Sequence, residues 1–235
     1  MQAGHSTVVD VDLEKFFDTV NHDILIDRLQ KRVPDTGVIR LVRAYLTSGI
    51  MHDGVVCQHE QGAPQGGPLS PLLANLMLDE VDKELERHGH RFVRYADDCN
   101  VYVRSQQAGE RVMHALRAQY AKLRLKVNET KSAVAQAMGR KFLGYSLWKP
   151  SRGKIRLRVA DKPMETFKQR IRQLTRRSGG RSMQQVIDKL RPYLRGWKAY
   201  FKLAQKPTVW RELDDWVQRR LRSIQLKQWR TGTKI

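Results

Sequence analysis

Arg91-Phe92-Val93-Arg94-Tyr95-Ala96-Asp97-Asp98-Cys99-Asn100-Val101-Tyr102-Val103 decides how the rest of the chain is read. Two strand-like runs flank a pair of adjacent carboxylates. Neighbouring acids repel each other and are depleted from strands, so they belong in a tight turn between paired strands. Such a turn aims both acids at a divalent cation. A third acid, Asp12, ends another apolar run, Thr7-Val8-Val9-Asp10-Val11. Three carboxylates on strand ends suit two Mg²⁺ ions, the arrangement used for in-line attack on phosphate. Asp10 is a rival for the role of Asp12 and is expected on the opposite face of its strand.

Working outward, residues 21–32 and 38–46 carry apolar residues at helical spacing, with Asn21 placed to cap the first. Residues 49–59 lack that spacing and read as a turn-linked strand pair. Gly62–Pro68 is a loop. Leu72–Glu86 and Ala108–Leu123 are amphipathic helices, and residues 133–148 return to short strands around Gly144. Beyond Gly153, residues 162–177, 183–202 and 209–229 read as three helices, with Pro163, Pro192 and Pro207 expected near helix starts. The pattern predicts an α+β domain over 1–150, an antiparallel sheet packed on helices, followed by an all-α domain over 151–235.

Charge divides the chain at the same place. Residues 1–150 hold 20 Lys/Arg against 18 Asp/Glu, and residues 151–235 hold 24 against 6. A surface merely solvated by charge rarely concentrates one sign so strongly, and a basic tail fits a polyanion such as nucleic acid. No stretch has the length of a membrane span, and the N-terminus is not a signal peptide. Cys57 and Cys99 form no metal-ligand pattern, and Cys99 is expected to be a small buried residue. A reducing, cytoplasmic setting follows as the default.

Tyr95-Ala96-Asp97-Asp98 resembles the polymerase signature of reverse transcriptases, and further motifs agree in order. Asp12-Leu13-Glu14-Lys15-Phe16-Phe17-Asp18 resembles the first palm motif. Gln61-Gly62-Ala63-Pro64-Gln65-Gly66-Gly67-Pro68-Leu69-Ser70-Pro71-Leu72-Leu73-Ala74-Asn75 resembles the template and nucleotide-site motif. Leu125–Ser132 resembles the motif after the acidic hairpin, and Phe142-Leu143-Gly144-Tyr145 the primer grip. Leu190–Phe201 resembles the maturase, or thumb, segment of group II intron proteins. The chain is thereby identified as resembling a group II intron reverse transcriptase/maturase, a polymerase palm followed by a helical thumb.

That resemblance implies Asp12, Asp97 and Asp98 as catalytic acids, with Asp12, Leu13, Asp97 and Asp98 at the metal positions for two Mg²⁺ ions. It implies Phe17 as the wall that excludes a 2′-OH, Gln65 and Gly66 as backbone beside template or nucleotide, and Lys131 as a cation for the triphosphate. Gly144 and Tyr145 would grip the primer. Arg191, Arg195, Lys198, Arg219 and Arg220 are candidates for nucleic-acid contacts. The implied partners are intron RNA, an RNA template with a DNA primer, and deoxynucleoside triphosphates, in a bacterial ribonucleoprotein. The resembled proteins have a fingers region before the first acid, so a truncated form is expected. Two other readings stand beside the polymerase: a non-catalytic RNA-binding splicing cofactor, and an inactive remnant.

Overall fold

The computed structural model describes residues 4–48, 50–52, 55–57, 61–64, 67–150, 153–177 and 179–232. Its contacts divide the chain into two units, Met1–Ala137 and Met138–Ile235. The first runs β1 (Thr7–Val11), α1 (Phe16–Thr19), α2 (His22–Gln30), α3 (Thr36–Thr47), β2 (Ile50–His52), β3 (Val55–Cys57), α4 (Ser70–Arg87), β4 (Arg91–Tyr95), β5 (Asp98–Val103), α5 (Gln106–Lys122) and β6 (Ala133–Gln136). The second runs β7 (Lys141–Phe142), β8 (Tyr145–Trp148), β9 (Arg156–Val159), α6 (Asp161–Leu174), α7 (Met183–Tyr200) and α8 (Pro207–Gly232).

In the first unit the sheet order is β4-β5-β1-β6, with every neighbour antiparallel. Alternation decides which face is buried. Val9 and Val11 of β1 lie opposite Val101 and Cys99 of β5, and all four are sealed from solvent. Leu73, Met77 and Val81 of α4 share one core with Val112, Leu116 and Tyr120 of α5. Each such side chain contributes roughly 1.5–3 kcal/mol by leaving water. Burial also pushes the Cys99 thiol up to about 12, so it stays a neutral packing residue. The helices start where their sequences allow. Asn21 accepts from the Ile24 amide, Asp35 from those of Gly37 and Val38, and Ser105 from that of Ala108.

The second unit pairs a β7-β8-β9 sheet with three helices around Phe167, Ile171, Leu174, Leu190, Leu213 and Val217. Ser182 and Gln185 form a reciprocal capping box that starts α7. Two expectations need correcting. The tail after residue 150 opens on a strand: β9 pairs along β8, because Arg156 and Arg158 alternate with the inward-leaning Leu157 and Val159. Pro192 lies inside α7, not near its start. Its ring removes one helical hydrogen bond, a local cost of about 3 kcal/mol that the packing of Leu190, Tyr193 and Leu194 on either side must offset.

Candidate active site

The acids converge through strand register. Tyr95 pairs with Asp98, so β4 and β5 are joined by the two residues Ala96 and Asp97. Val11 pairs with Cys99, the last step of the β1–β5 ladder. Asp12 and Asp98 therefore follow and precede that pair at one end of the ladder, near enough for the Asp12 charge to act on Asp98. The segment after α5 folds around Asp12. The Asp12 amide donates to Ser132 Oγ at 3.0 Å, and the Asn128 amide donates to the Asp12 carbonyl at 2.9 Å. Lys131 Nζ lies 3.3 and 3.4 Å from the two Asp12 carboxylate oxygens. Leu13 turns its side chain into the core. The expectation that Asp10 faces away is overturned. Residues two apart in a strand share a face, and the Asp10 charge acts on Asp98.

Arg94 holds the turn in shape. Its guanidinium grips Asp82 of α4 through Nε (2.8 Å) and Nη2 (2.5 Å). Nη1 donates to the Ala96 carbonyl at 2.9 Å and to Asn75 Oδ1 at 3.0 Å. Ala96 has φ 53°, a left-handed conformation costing about 1–2 kcal/mol for a residue with a Cβ. The fork of Arg94 therefore ties a strained turn to α4, the helix that follows the template-motif loop.

Phe17 is half-buried and meets Phe16 edge-on, with ring centroids 5.1 Å apart. Gln65 and Gly66 fall outside the described residues, but the backbone before them is pinned to the Phe17 segment. The Ala63 amide donates to the Phe17 carbonyl at 2.6 Å, and the Gly62 amide to that of Val20 at 2.7 Å. Buried His22 donates through Nε2 to the Gly62 carbonyl at 2.6 Å. Ser70, also buried, donates to the Pro64 carbonyl. Sequence reading passed over His22, Ser70, Ser132 and the fork of Arg94, since each acts through backbone or through a distant partner. Gly62 has φ +95°, and a Cβ there would stand 2.9 Å from the carbonyls of Phe17 and Asp18. Gly62→Ala is expected to cost about 2–3 kcal/mol in urea unfolding.

The donor set suits a hard divalent cation. Partial burial, then the charges of Asp97, Asp12 and Asp10, push the Asp98 carboxyl above its ordinary value, while Lys131 pulls it down. Carboxylates that repel one another in this way are what a bound cation relieves. As they stand, no group of three or more His, Cys, Asp or Glu among the described residues is close enough to hold an ion. Asp12 is turned to Lys131 instead.

The shift has a testable sign. A carboxyl raised by folding stabilises the fold below its unfolded value, here 3.8, and loses that contribution as pH climbs through the higher folded value. At neutral pH the ionised form is therefore a cost. Asp98→Asn is expected to raise stability at pH 7 by about 0.5 kcal/mol, a small figure because the side chain is exposed and screened. Unfolding curves should show that gain vanish below about pH 4 and shrink in millimolar Mg²⁺.

In the second unit, Gly144 and Tyr145 are held against the end of α7. Gly144 has φ +76°, and a Cβ there would press the Phe201 ring at 3.1 Å. Tyr145 donates its hydroxyl to the Tyr200 carbonyl, and Tyr200 donates to that of Leu143 at 3.2 Å. Arg191, Arg195 and Lys198 recur along one exposed side of α7, and Arg219 is exposed on α8. Arg220 is engaged in the fold. It donates to Thr175 Oγ1 at 2.6 Å and to the Thr175 carbonyl at 3.2 Å, closing the C-terminal end of α6. Trp197 packs in the core with its centroid 4.3 Å from that of Phe167, whereas Tyr200 is mostly exposed.

Comparison with known proteins agrees with this geometry. Residues 1–147 match the family described as reverse transcriptase (RNA-dependent DNA polymerase). Residues 164–235 match the group II intron, maturase-specific domain. The group II intron-encoded protein LtrA of Lactococcus lactis subsp. cremoris is 35% identical over 80 residues, 34% of this chain and 13% of that protein. The putative COX1/OXI3 intron 1 protein of Saccharomyces cerevisiae is 38% identical over 87 residues, 37% of this chain and 10% of its own length. The matched stretch is thus a small part of either relative. An apo telomerase structure from Candida tropicalis shares the fold, with TM-score 0.50 and 15% identity over 61% of this chain and 31% of that one. With its acids set by register at one end of an antiparallel sheet, the chain belongs to the reverse transcriptase (RNA-dependent DNA polymerase) family and carries a group II intron maturase-specific domain.

Proposed function

We propose that the chain catalyses RNA-templated addition of deoxynucleotides to a primer 3′-OH and serves the splicing and mobility of a group II intron. The observation that supports this reading is the β1–β5 ladder, which ends at Val11 and Cys99 and so leaves Asp12 and Asp98 at one end of the sheet, with Asp97 in the adjoining turn. Asp12, Asp97 and Asp98 would hold two Mg²⁺ ions, which when bound supply Lewis-acid polarisation of phosphate and hydroxyl. Lys131 is close enough to Asp12 to exchange that carboxylate for the charge of an incoming triphosphate. Phe17, its carbonyl fixed by Ala63, would form the wall against a 2′-OH. Gly144 and Tyr145 would meet the primer backbone, and the basic residues of α7 and α8 the nucleic-acid phosphates. Such a protein works in a ribonucleoprotein, here taken to be bacterial and cytoplasmic. No helix among the described residues is long and apolar enough to cross a membrane.

Primer extension on an RNA template with Mg²⁺ and deoxynucleotides, with Asp97→Ala in parallel, tests the reading. Extension in the parent and none in the variant supports it. Template-independent extension, or extension equal in both, ends it.

A non-catalytic splicing cofactor is favoured by one observation, the concentration of 24 Lys/Arg against 6 Asp/Glu in residues 151–235. RNA binding without extension in either protein selects it. Under both readings RNA affinity should fall steeply with salt, by a log–log slope of about −0.7 per phosphate neutralised on a single strand. Converting Arg191, Arg195, Lys198 and Arg219 together to alanine is expected to flatten the slope by about 3 in titrations at several salt concentrations. A salt-independent affinity would remove the basic tail from the account.

A further inference from the structure

Within the second unit, α6 and α8 flank a cavity of about 370 Å³, near the lower end of the roughly 300–1,000 Å³ typical of small-ligand sites. Two kinds of surface meet in it. Its apolar wall is formed by Met164, Val209, Leu213 and the indole of Trp216. Around that wall stand Arg158, Lys168 and Lys206, all half-buried, with Arg172 and Arg219. Asp161 and Glu212 are the carboxylates there, and Asp161 is taken by Arg158 at 3.7 Å. Lys168 and Arg219 have no carboxylate partner among the described residues. Half-burying an unpaired lysine beside other cations costs free energy unless an anion joins it.

We infer that this cavity takes one unpaired nucleotide of an RNA strand, its base against Met164, Val209 and the Arg172–Trp216 pair, whose guanidinium lies 5.7 Å from the indole centroid, and its phosphate between Lys168 and Arg219. The two surfaces match the two halves of that ligand. A planar base fills an apolar slot, and a phosphate answers cations that lack a counter-charge. An acidic peptide would satisfy the cations and leave the apolar wall of Met164 and Val209 unfilled. A continuous duplex keeps its bases stacked inside, so its convex backbone touches the rim and leaves the cavity empty. The local field agrees: Arg220, beside Trp216, is held below the ordinary guanidinium range by burial and then by the charges of Arg172 and Arg177. None of this involves the carboxylates of the first unit, so the inference stands apart from polymerase activity.

The test is binding by the full chain, without nucleotides or Mg²⁺, to two RNA hairpins of equal length and charge. One is fully paired and the other has a single bulged nucleotide. The bulged hairpin is expected to bind about ten-fold tighter, a modest share of what base–aromatic stacking supplies. Val209→Trp, which fills the slot without changing charge, should bring the ratio to about one, with an unchanged thermal melt confirming its fold. Lys168→Ala with Arg219→Ala should lower the ratio. Arg191→Ala with Arg195→Ala removes equal charge from α7, so it should weaken both hairpins alike and leave the ratio intact. Equal binding of the two hairpins by the parent overturns the inference, as does a ratio that survives Val209→Trp. Tight binding of a free nucleoside 5′-monophosphate would replace the strand with a soluble nucleotide and overturn it as well. Failure of the parent to bind either hairpin defeats it too, and primer extension then reports separately on the polymerase reading.

Discussion

Removing the Asp97 carboxylate is expected to slow primer extension by about a thousand-fold, or ~4 kcal/mol of barrier, while leaving RNA affinity within about two-fold. The size follows from what phosphoryl transfer asks of protein. Little covalent chemistry falls to side chains, so the rate rests on charge placed in advance where new charge develops. Asp97 sits in the turn, between the acid that opens β5 and the left-handed Ala96. No neighbouring side chain can take over its position without remaking that turn. Asp97→Asn keeps the size and hydrogen-bonding capacity but drops the charge, so it should be nearly as inactive as Asp97→Ala. The unchanged affinity separates a chemical loss from a folding loss, because the basic residues lie far along the chain. Single-turnover extension, with RNA binding measured on the same preparation, checks both parts. Extension reduced less than ten-fold would remove Asp97 from the reaction.

Arg94→Ala should lower the unfolding free energy by about 2–3 kcal/mol. Its side chain is only 9% exposed and that of Asp82 22%, so the pair is drier than a surface ion pair. Truncation would strand the Asp82 carboxylate and leave the Ala96 carbonyl and Asn75 without their donor. The estimate stays below that for a fully buried pair because Asp82 keeps some water. Arg94→Lys preserves the charge but cannot supply the fork, so an intermediate loss of about 1–2 kcal/mol is expected. Urea unfolding of both variants, and of Asp82→Ala alone and combined with Arg94→Ala, measures the coupling directly. A coupling under about 0.5 kcal/mol would place the pair among ordinary solvent-screened contacts. Extension by Arg94→Ala should fall as well, since the turn that presents Asp97 loses its tie to α4.

Much of this was legible in the residues. The acidic hairpin announced itself because adjacent carboxylates sit badly within strands, and the long helices because their apolar residues recur every three or four positions. The helices predicted over Leu72–Glu86 and Ala108–Leu123 each start two residues earlier, the second where Ser105 caps it and the first after Leu69, which makes no side-chain cap. What stayed hidden acts across distance. Arg94 reads as one more residue in a strand, and only the fold brings Asp82 and Asn75 to it. His22 reads as an ordinary first-turn residue until Gly62 arrives forty positions later. The four-residue α1 follows Lys15 at φ 45°, a backbone choice that no side-chain pattern signals. β9 is obscured because Arg156 and Arg158 blend with the basic composition around them. Asp10 was misjudged by arithmetic alone, since a spacing of two keeps it on the side of Asp12.

The seam between the units has a practical consequence for anyone dividing the gene. Family resemblance ends its first segment at residue 147, yet the contacts assign β7 and β8 to the second unit. A clone stopped there would carry β8 with its β9 edge bare, and Tyr145 without the Tyr200 carbonyl that receives its hydroxyl. Such an expression product would invite aggregation through the open strand, and its inactivity would say nothing about the acids. Breaking the reading frame after Ala137 keeps that small sheet whole.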